Sequence, residues 1–345
     1  MYAQRLIAPA AFEACEVLAP TPDALPPRAV LLRTLAGGVC GSDLPHFMGR
    51  ISATRDDDVS TGAARLPGFP MHEVVGEVVA TSDTRHPAGT RVVGWADKMD
   101  ALAQFVVTSG DSVYPCGNSL APEHAVMLQP LACVLHTIAR IPEVAGARVA
   151  VLGLGPIGLL FSHAVKAAGA AEVVGVDRVD RSSIASSYGV DTFVHSSADR
   201  WARGLASAER PTVLIEAVGH QPGTLQSAVE AISFGGTVFY FGVPDEPVYP
   251  FPIGGALRKN LTFRTGVVEP AARRAALAAA VGYLQEHRAL ADSYVTSTFA
   301  LDDCSSAYLA ANSPRSGQLK IAVTMDRPDL YANASQGPPP LPRRD

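Results

Sequence analysis

The chain has 345 residues, room for two domains of ordinary size. Its 48% hydrophobic and 18% charged content allows sizeable cores and excludes global disorder. A net charge of −5 without a basic block argues against a nucleic-acid partner, and no run reaches the roughly 18 apolar residues a membrane helix needs.

The N-terminal MYAQRLIAPA lacks the charged-then-apolar layout of a secretory signal. The five cysteines (Cys15, Cys40, Cys116, Cys133 and Cys304) are scattered and odd in number, which argues against a disulfide framework. A soluble cytoplasmic enzyme is the expectation. The first 130 or so residues read as β-rich: β-branched runs at Ala29–Leu35, Glu73–Ala80, Arg91–Trp95 and Gln104–Thr108 are punctuated by Gly, Pro, Asp and Ser. The polar stretch from Arg50 to Arg65 reads as an exposed loop.

Near Gln129 the texture changes. Apolar strands at Arg148–Leu152, Glu172–Val176, Pro211–Glu216 and Gly236–Phe241 alternate with helical spacings at Pro156–Ala168 and Gly223–Ile232. Fully apolar strands separated by helices predict an α/β fold, a doubly wound parallel sheet covered on both faces. A long Ala/Leu helix (Ala271–His287), a strand (Tyr294–Thr298), a short helix (Leu301–Ala311) and a last strand (Leu319–Met325) are expected to follow. The Pro-rich terminus, 326–345, favours extended chain and cannot pack a core.

The first strand of the alternating series runs into Gly153-Leu154-Gly155-Pro156-Ile157-Gly158, and a helix follows. The first glycine permits the tight turn, the second lets a pyrophosphate approach, and the third lets helix and strand pack closely. The helix N-terminus then offers free N–H groups to phosphates. Asp177 ends the next strand 19 residues after Gly158, where a ribose-binding acid belongs. A carboxylate there favours NAD over NADP, although neighbouring Arg178 and Arg181 suit a 2′-phosphate.

Upstream, GVCGSD carries Cys40, Ser42 and Asp43, and GFPMHEVVGEV carries His72 and Glu73, with His72 lying 32 residues after Cys40. Thiolate and imidazole are ligands zinc prefers, and nearby carboxylates complete the sphere or orient the imidazole.

These motifs, in this order from about Ala29 to Met325, resemble the medium-chain dehydrogenase/reductase superfamily in its zinc-dependent alcohol and polyol dehydrogenase branch. The resemblance implies a GroES-like β-barrel catalytic domain (1–130), a Rossmann NAD-binding domain (131–266) and a return to the catalytic domain (267–325), with the Pro-rich composition making 326–345 a disordered tail. It implies zinc ligands at Cys40, His72 and Glu73, a proton-relaying hydroxyl at Ser42, and an acid behind the ligand histidine at Asp43. Lys320 would lie near the cofactor phosphates or Glu73, and Val218, Val243, Thr265, Gly266 and Val267 would line the nicotinamide pocket. His46 is a candidate terminal base or a pocket-lining residue, since the family's histidine falls where this chain has Pro45.

Three departures stand out. Gln129, a fourth metal-site candidate, replaces an acidic ligand in Leu128-Gln129-Pro130-Leu131-Ala132-Cys133, so the site is weaker, uses Glu73 directly or recruits Cys133, with Glu73 favoured. Met71 replaces the glycine before His72. The cysteine lobe of a structural zinc is absent from the sequence between Trp95 and Phe105, so one zinc per chain is expected.

The function implied is NAD-linked interconversion of a secondary alcohol and its ketone, with a small hydroxylated substrate. The expected pocket has Phe47 and Trp95 as apolar walls and Gln129 and His46 as polar contacts. A homodimer or homotetramer joined at sheet edges is also implied. A zinc-independent reductase of activated double bonds and a non-catalytic dinucleotide binder are the competing readings.

Overall fold

The computed structural model describes residues 1–50 and 66–325. The expected loop at 51–65 and the expected extended tail at 326–345 therefore lie outside the described residues. The strands are β1 (Tyr2–Ala8), β2 (Ala11–Glu16), β3 (Ala29–Gly38), β4 (Glu73–Thr81), β5 (Arg91–Trp95), β6 (Phe105–Ser109), β7 (Val113–Pro115), β8 (Arg148–Leu152), β9 (Glu172–Asp177), β10 (Thr192–His195), β11 (Val213–Glu216), β12 (Thr237–Tyr240), β13 (Thr262–Thr265), β14 (Val295–Ala300) and β15 (Lys320–Thr324). The α-helices are α1 (Leu44–Phe47), α2 (Pro122–Ala125), α3 (Leu128–Ile138), α4 (Pro156–Ala167), α5 (Ala198–Gly204), α6 (Gly223–Ala231), α7 (Ile253–Arg258), α8 (Pro270–Glu286), α9 (Ala289–Tyr294) and α10 (Cys304–Asn312).

Strands β8 to β13 form a six-stranded, all-parallel sheet in the order β10-β9-β8-β11-β12-β13. Their side chains explain it: Val149, Val151, Val173, Val213 and Ile215 are fully buried, as a sheet covered on both faces requires. Chain order reverses between β8 and β11, and ligands bind such sheets at that reversal, beyond the carboxyl ends of the strands.

A seven-stranded sheet, β14-β15-β3-β4-β5-β7 with β6 paired to β3, holds the N-terminal half. Register shifts at Leu31/Leu32 and Thr34/Ala36 bend β3 along β4, and its other edge is shared by β6 at Ala29–Arg33 and β15 at Ala36–Gly38. β15 runs antiparallel to β3, bringing Lys320 back to this sheet from the end of the described chain. Helix α3 carries the chain across, packing on α4 and α8. No helix among the described residues is long and apolar enough to cross a membrane.

Candidate metal centre and dinucleotide cleft

One cleft runs between the two sheets. Its walls include the ends of β8 and β9 (Gly153, Gly155, Pro156, Ile157, Asp177, Arg178), the turn after β11 (Val218, Gly219, His220) and Cys40, Gly41 and Lys320 from the other sheet.

The glycines do what their spacing demands. Gly153 sits at φ +84°, and a Cβ on Gly158 would stand 1.7 Å from the Gly153 carbonyl oxygen. Gly155 caps α4 in extended conformation and faces open space among the described residues. Pro156 follows at the first helical position, where its missing N–H costs nothing. Leu154 N–H donates to Asp177 Oδ2 (2.6 Å) and Val179 N–H to Oδ1 (2.7 Å), fixing the carboxylate at the cleft wall. This cradle suits a dinucleotide: a bare lane over Gly155, helix N–H groups for phosphate, and an acid for ribose hydroxyls.

At the other end of the cleft, Cys40, His72 and Glu73 bring one ligand atom each within 4.8 Å of one another. Cys40 precedes the tight Gly41–Asp43 turn, whose Asp43 carboxylate accepts the Cys40 N–H (3.0 Å) and pairs with His72 Nδ1 (2.8 Å). With Nδ1 occupied, Nε2 is left to face a metal. Burial resists charging His72, but the Asp43 carboxylate and then Cys40 together outweigh it and lift the imidazole well above its ordinary value. Lys320 Nζ donates to Glu73 Oε1 at 2.6 Å, both side chains being buried. Burial lifts the Glu73 carboxyl, with Lys320 pulling the other way. Glu73 Oε2 is buried and has no hydrogen-bond partner. An orphaned carboxylate oxygen beside a thiol and an oriented imidazole is a donor set that fits zinc.

Gly38 makes room for this arrangement. A Cβ there would fall 2.2 Å from Glu73 Oε2 and 2.8 Å from Lys320 Cε. The substitution at Met71 is accommodated likewise: its Sδ would lie 2.2 Å from a Cβ on Gly37, so Met71 fills the space that Gly37 leaves bare.

The remaining predicted residues divide. Ser42 sits half-buried in the Gly41–Asp43 turn, between Cys40 and the buried Asp43. Lys320 answers its alternative expectation by taking Glu73. His46 packs edge-on against Phe69 at 5.1 Å. Gln129 is buried and donates from Nε2 to Cys133 Sγ (3.5 Å). Burial, with Cys40 and Glu73 nearby, pushes the Cys133 thiol far up, which keeps it neutral.

Several pocket expectations need correction. Phe47 is fully buried between Phe12 (5.1 Å) and Tyr308 (4.9 Å), a core contact instead of a pocket wall. Trp95 is likewise core, capped by the Arg273 guanidinium at 5.1 Å. Val243 packs on the cleft turn, its N 2.7 Å from where a Cβ on Gly219 would stand, and Val267 is 76% exposed. Gly266 faces Arg140, whose Nη1 would lie 2.4 Å from a Cβ there.

In the turn after β11 the sequence reading placed Val218 at the cleft but missed Glu216 and His220. Buried Glu216 accepts the N–H groups of Val218 (3.2 Å) and Gly219 (3.0 Å). His220, at φ +55°, projects into the cleft and hydrogen-bonds Asp245 through Nδ1.

Comparison with known proteins agrees with this geometry. The family profile of the alcohol dehydrogenase GroES-like domain matches residues 26–119, and that of zinc-binding dehydrogenases matches residues 156–282. An L-threonine 3-dehydrogenase of Bacillus subtilis is 25% identical over 245 residues, 64% of this chain and 70% of that one. A sorbitol dehydrogenase of the same organism is 24% identical over 258 residues, 65% of this chain and 70% of that one. The fold matches an alcohol dehydrogenase from Thermus sp. ATN1 with a TM-score of 0.78 at 24% identity, covering 94% of this chain and 100% of the other. The two profiles, in this order around a sulfur–nitrogen–oxygen site and a glycine cradle, place the chain in the medium-chain dehydrogenase/reductase superfamily: it belongs to the zinc-dependent alcohol and polyol dehydrogenase branch.

Proposed function

We propose that the protein oxidises a small secondary alcohol, polyol or amino alcohol to its ketone, or runs the reverse, with NAD as hydride carrier and a single catalytic zinc. The observation carrying this is the Cys40–His72–Glu73 group, whose ligand atoms lie within 4.8 Å of one another at the end of the dinucleotide cleft.

Cys40, His72 and Glu73 would hold the zinc, with the neutral amide Gln129 left to its bond with Cys133. When bound, zinc supplies Lewis acidity that eases loss of an alcohol proton, and the nicotinamide supplies a hydride acceptor. Asp43 fixes the His72 tautomer and ring orientation. Ser42, next to Cys40 in the same tight turn, takes the alcohol proton and passes it outward. Lys320 holds Glu73 through one oxygen and leaves the other for a metal. Asp177 accepts the ribose hydroxyls and repels a 2′-phosphate, which supports NAD. The names of the relatives, threonine and sorbitol dehydrogenases, support a substrate bearing neighbouring polar groups.

The same reading divides the chain into a catalytic unit (1–130), a dinucleotide unit (131–266), a returning segment (267–325) and a tail (326–345). It also makes the molecule a homodimer or homotetramer, for β13 is an edge strand bearing the exposed Phe263, with Leu257 79% and Ile253 69% exposed nearby.

The test is an NAD-reduction screen over polyols and amino alcohols, with zinc quantified in the same preparation and Ser42→Ala run in parallel. Turnover that needs zinc, and that falls about a hundredfold or more in Ser42→Ala with NAD binding intact, is expected. Full turnover in zinc-free protein would favour a zinc-independent reductase instead.

A further inference from the structure

The His220–Asp245 pair has no part in the function proposed above, yet its placement is tightly determined. The turn carrying it is pinned from three sides. Glu216, buried below, takes the N–H groups of Val218 and Gly219. Gly219 lies at φ +63° so close to the next loop that a Cβ would stand 2.7 Å from Val243 N. His220 N–H donates to Val243 O at 2.9 Å. Asp245, its own N–H held by the Tyr249 hydroxyl (3.0 Å), then fixes the imidazole through Nδ1. A histidine held at φ +55° is strained, and such strain persists where the surroundings over-determine it, often at ligand sites.

The result is an Nε2 aimed across the cleft. It is the nearest atom, at 3.6 Å, to where a side chain on Gly41 would begin. Gly41 carries none, and a Cβ there would meet the imidazole in ordinary van der Waals contact, so the catalytic turn and His220 approach closely across the cleft. The same cleft includes Gly155 and Pro156 at the start of α4, which offers N–H groups to phosphate. The acids on the cleft wall, Asp177 and Asp199, belong to the β9 end and to α5. Asp245 is bound to His220.

We propose that His220, positioned by Asp245, is a binding residue for the diphosphate of the dinucleotide, closing over it from the β11 turn while α4 holds it from below. The inference rests on the cofactor reading above and adds the residue that clamps the diphosphate between the two halves of the molecule.

The test uses the full chain and two probes, ADP-ribose and adenosine, measured by calorimetry or, for the weaker ligand, by competition. His220→Asn keeps a residue that tolerates left-handed backbone but is too short to reach. We expect ADP-ribose affinity to fall about tenfold in this variant, the scale of one hydrogen bond to a charged group, and adenosine affinity to hold. Asp245→Asn should lose about threefold on ADP-ribose alone, because the imidazole is freed but present. His220→Gly, which relieves the backbone strain, guards against a folding defect and should match His220→Asn. Unchanged ADP-ribose affinity in His220→Asn and His220→Gly overturns the proposal, as does an equal loss on both probes, which would mean contact with the adenosine part. Failure of the unmodified protein to bind ADP-ribose would overturn the cofactor reading itself, and the clamp with it.

Discussion

Single atoms decide the site. A methyl group on Gly38 would collide with Glu73 Oε2 and Lys320 Cε, so Gly38→Ala must displace one of them. We predict that it lowers bound zinc below half an equivalent by elemental analysis; retention of full zinc would show that Glu73 is not a ligand. Asp177→Ala should cut the preference for NAD over NADP about tenfold in kcat/KM, since the carboxylate both binds ribose hydroxyls and repels a phosphate. An unchanged ratio would remove Asp177 from that role. Away from the cleft, burial lifts the Asp100 carboxyl from 3.8 to about 6, and its Oδ1 is buried without a partner. The folded chain then binds this proton more tightly than the unfolded chain does. Stability from this group is greatest below pH 4 and falls as pH rises through 6. Asp100→Asn should therefore stabilise by about 3 kcal/mol at pH 7.5 and by almost nothing near pH 4, as read by denaturant unfolding. An equal gain at both pH values would contradict the assignment.

At the scale of elements, the ion pair between Lys320 of β15 and Glu73 of β4 ties the returning segment to the candidate metal centre. Lys320→Met leaves a buried carboxylate uncompensated, and we predict a loss of about 3 kcal/mol in unfolding free energy together with weakened zinc binding. A stable variant with normal zinc would make the pair dispensable. What was readable at this scale depended on periodicity. The strand into Gly153–Gly158, the helix after it and Asp177 at the end of β9 were all legible, because an apolar run, a glycine spacing and a strand-end acid each carry their own constraint. The β1–β2 hairpin was not, since Tyr2–Ala8 grades from buried to exposed instead of alternating. Four-residue strands such as β10 and β13, both at sheet edges, are too short to show a period. Contacts between distant residues were also hidden: Met71 over Gly37, Phe47 between Phe12 and Tyr308, and His220 with Asp245 are visible only once β3, α10 and the β12 turn are in place.

For the molecule as a whole, two sheets divide the chemistry, one presenting a glycine cradle and the other a thiol, an imidazole and a carboxylate. Helix α8 joins them, with Arg273 reaching Asp97 (2.6 Å) and lying over Trp95, and Arg274 near His86 (3.1 Å) and over Tyr114. The exposed edge at β13 belongs to this scale as well. We predict a dimer or tetramer by light scattering, and a shift toward monomer in Phe263→Lys; a monomeric unmodified protein would contradict the edge-to-edge reading. Zinc K-edge X-ray absorption on the purified, zinc-loaded protein reads the candidate metal centre most directly. We predict one zinc per chain with a single sulfur neighbour at about 2.3 Å and lighter nitrogen and oxygen neighbours at about 2.0–2.1 Å, the sulfur signal vanishing in Cys40→Ser. Zinc bound without any sulfur neighbour, or no zinc retained at all, would contradict the account.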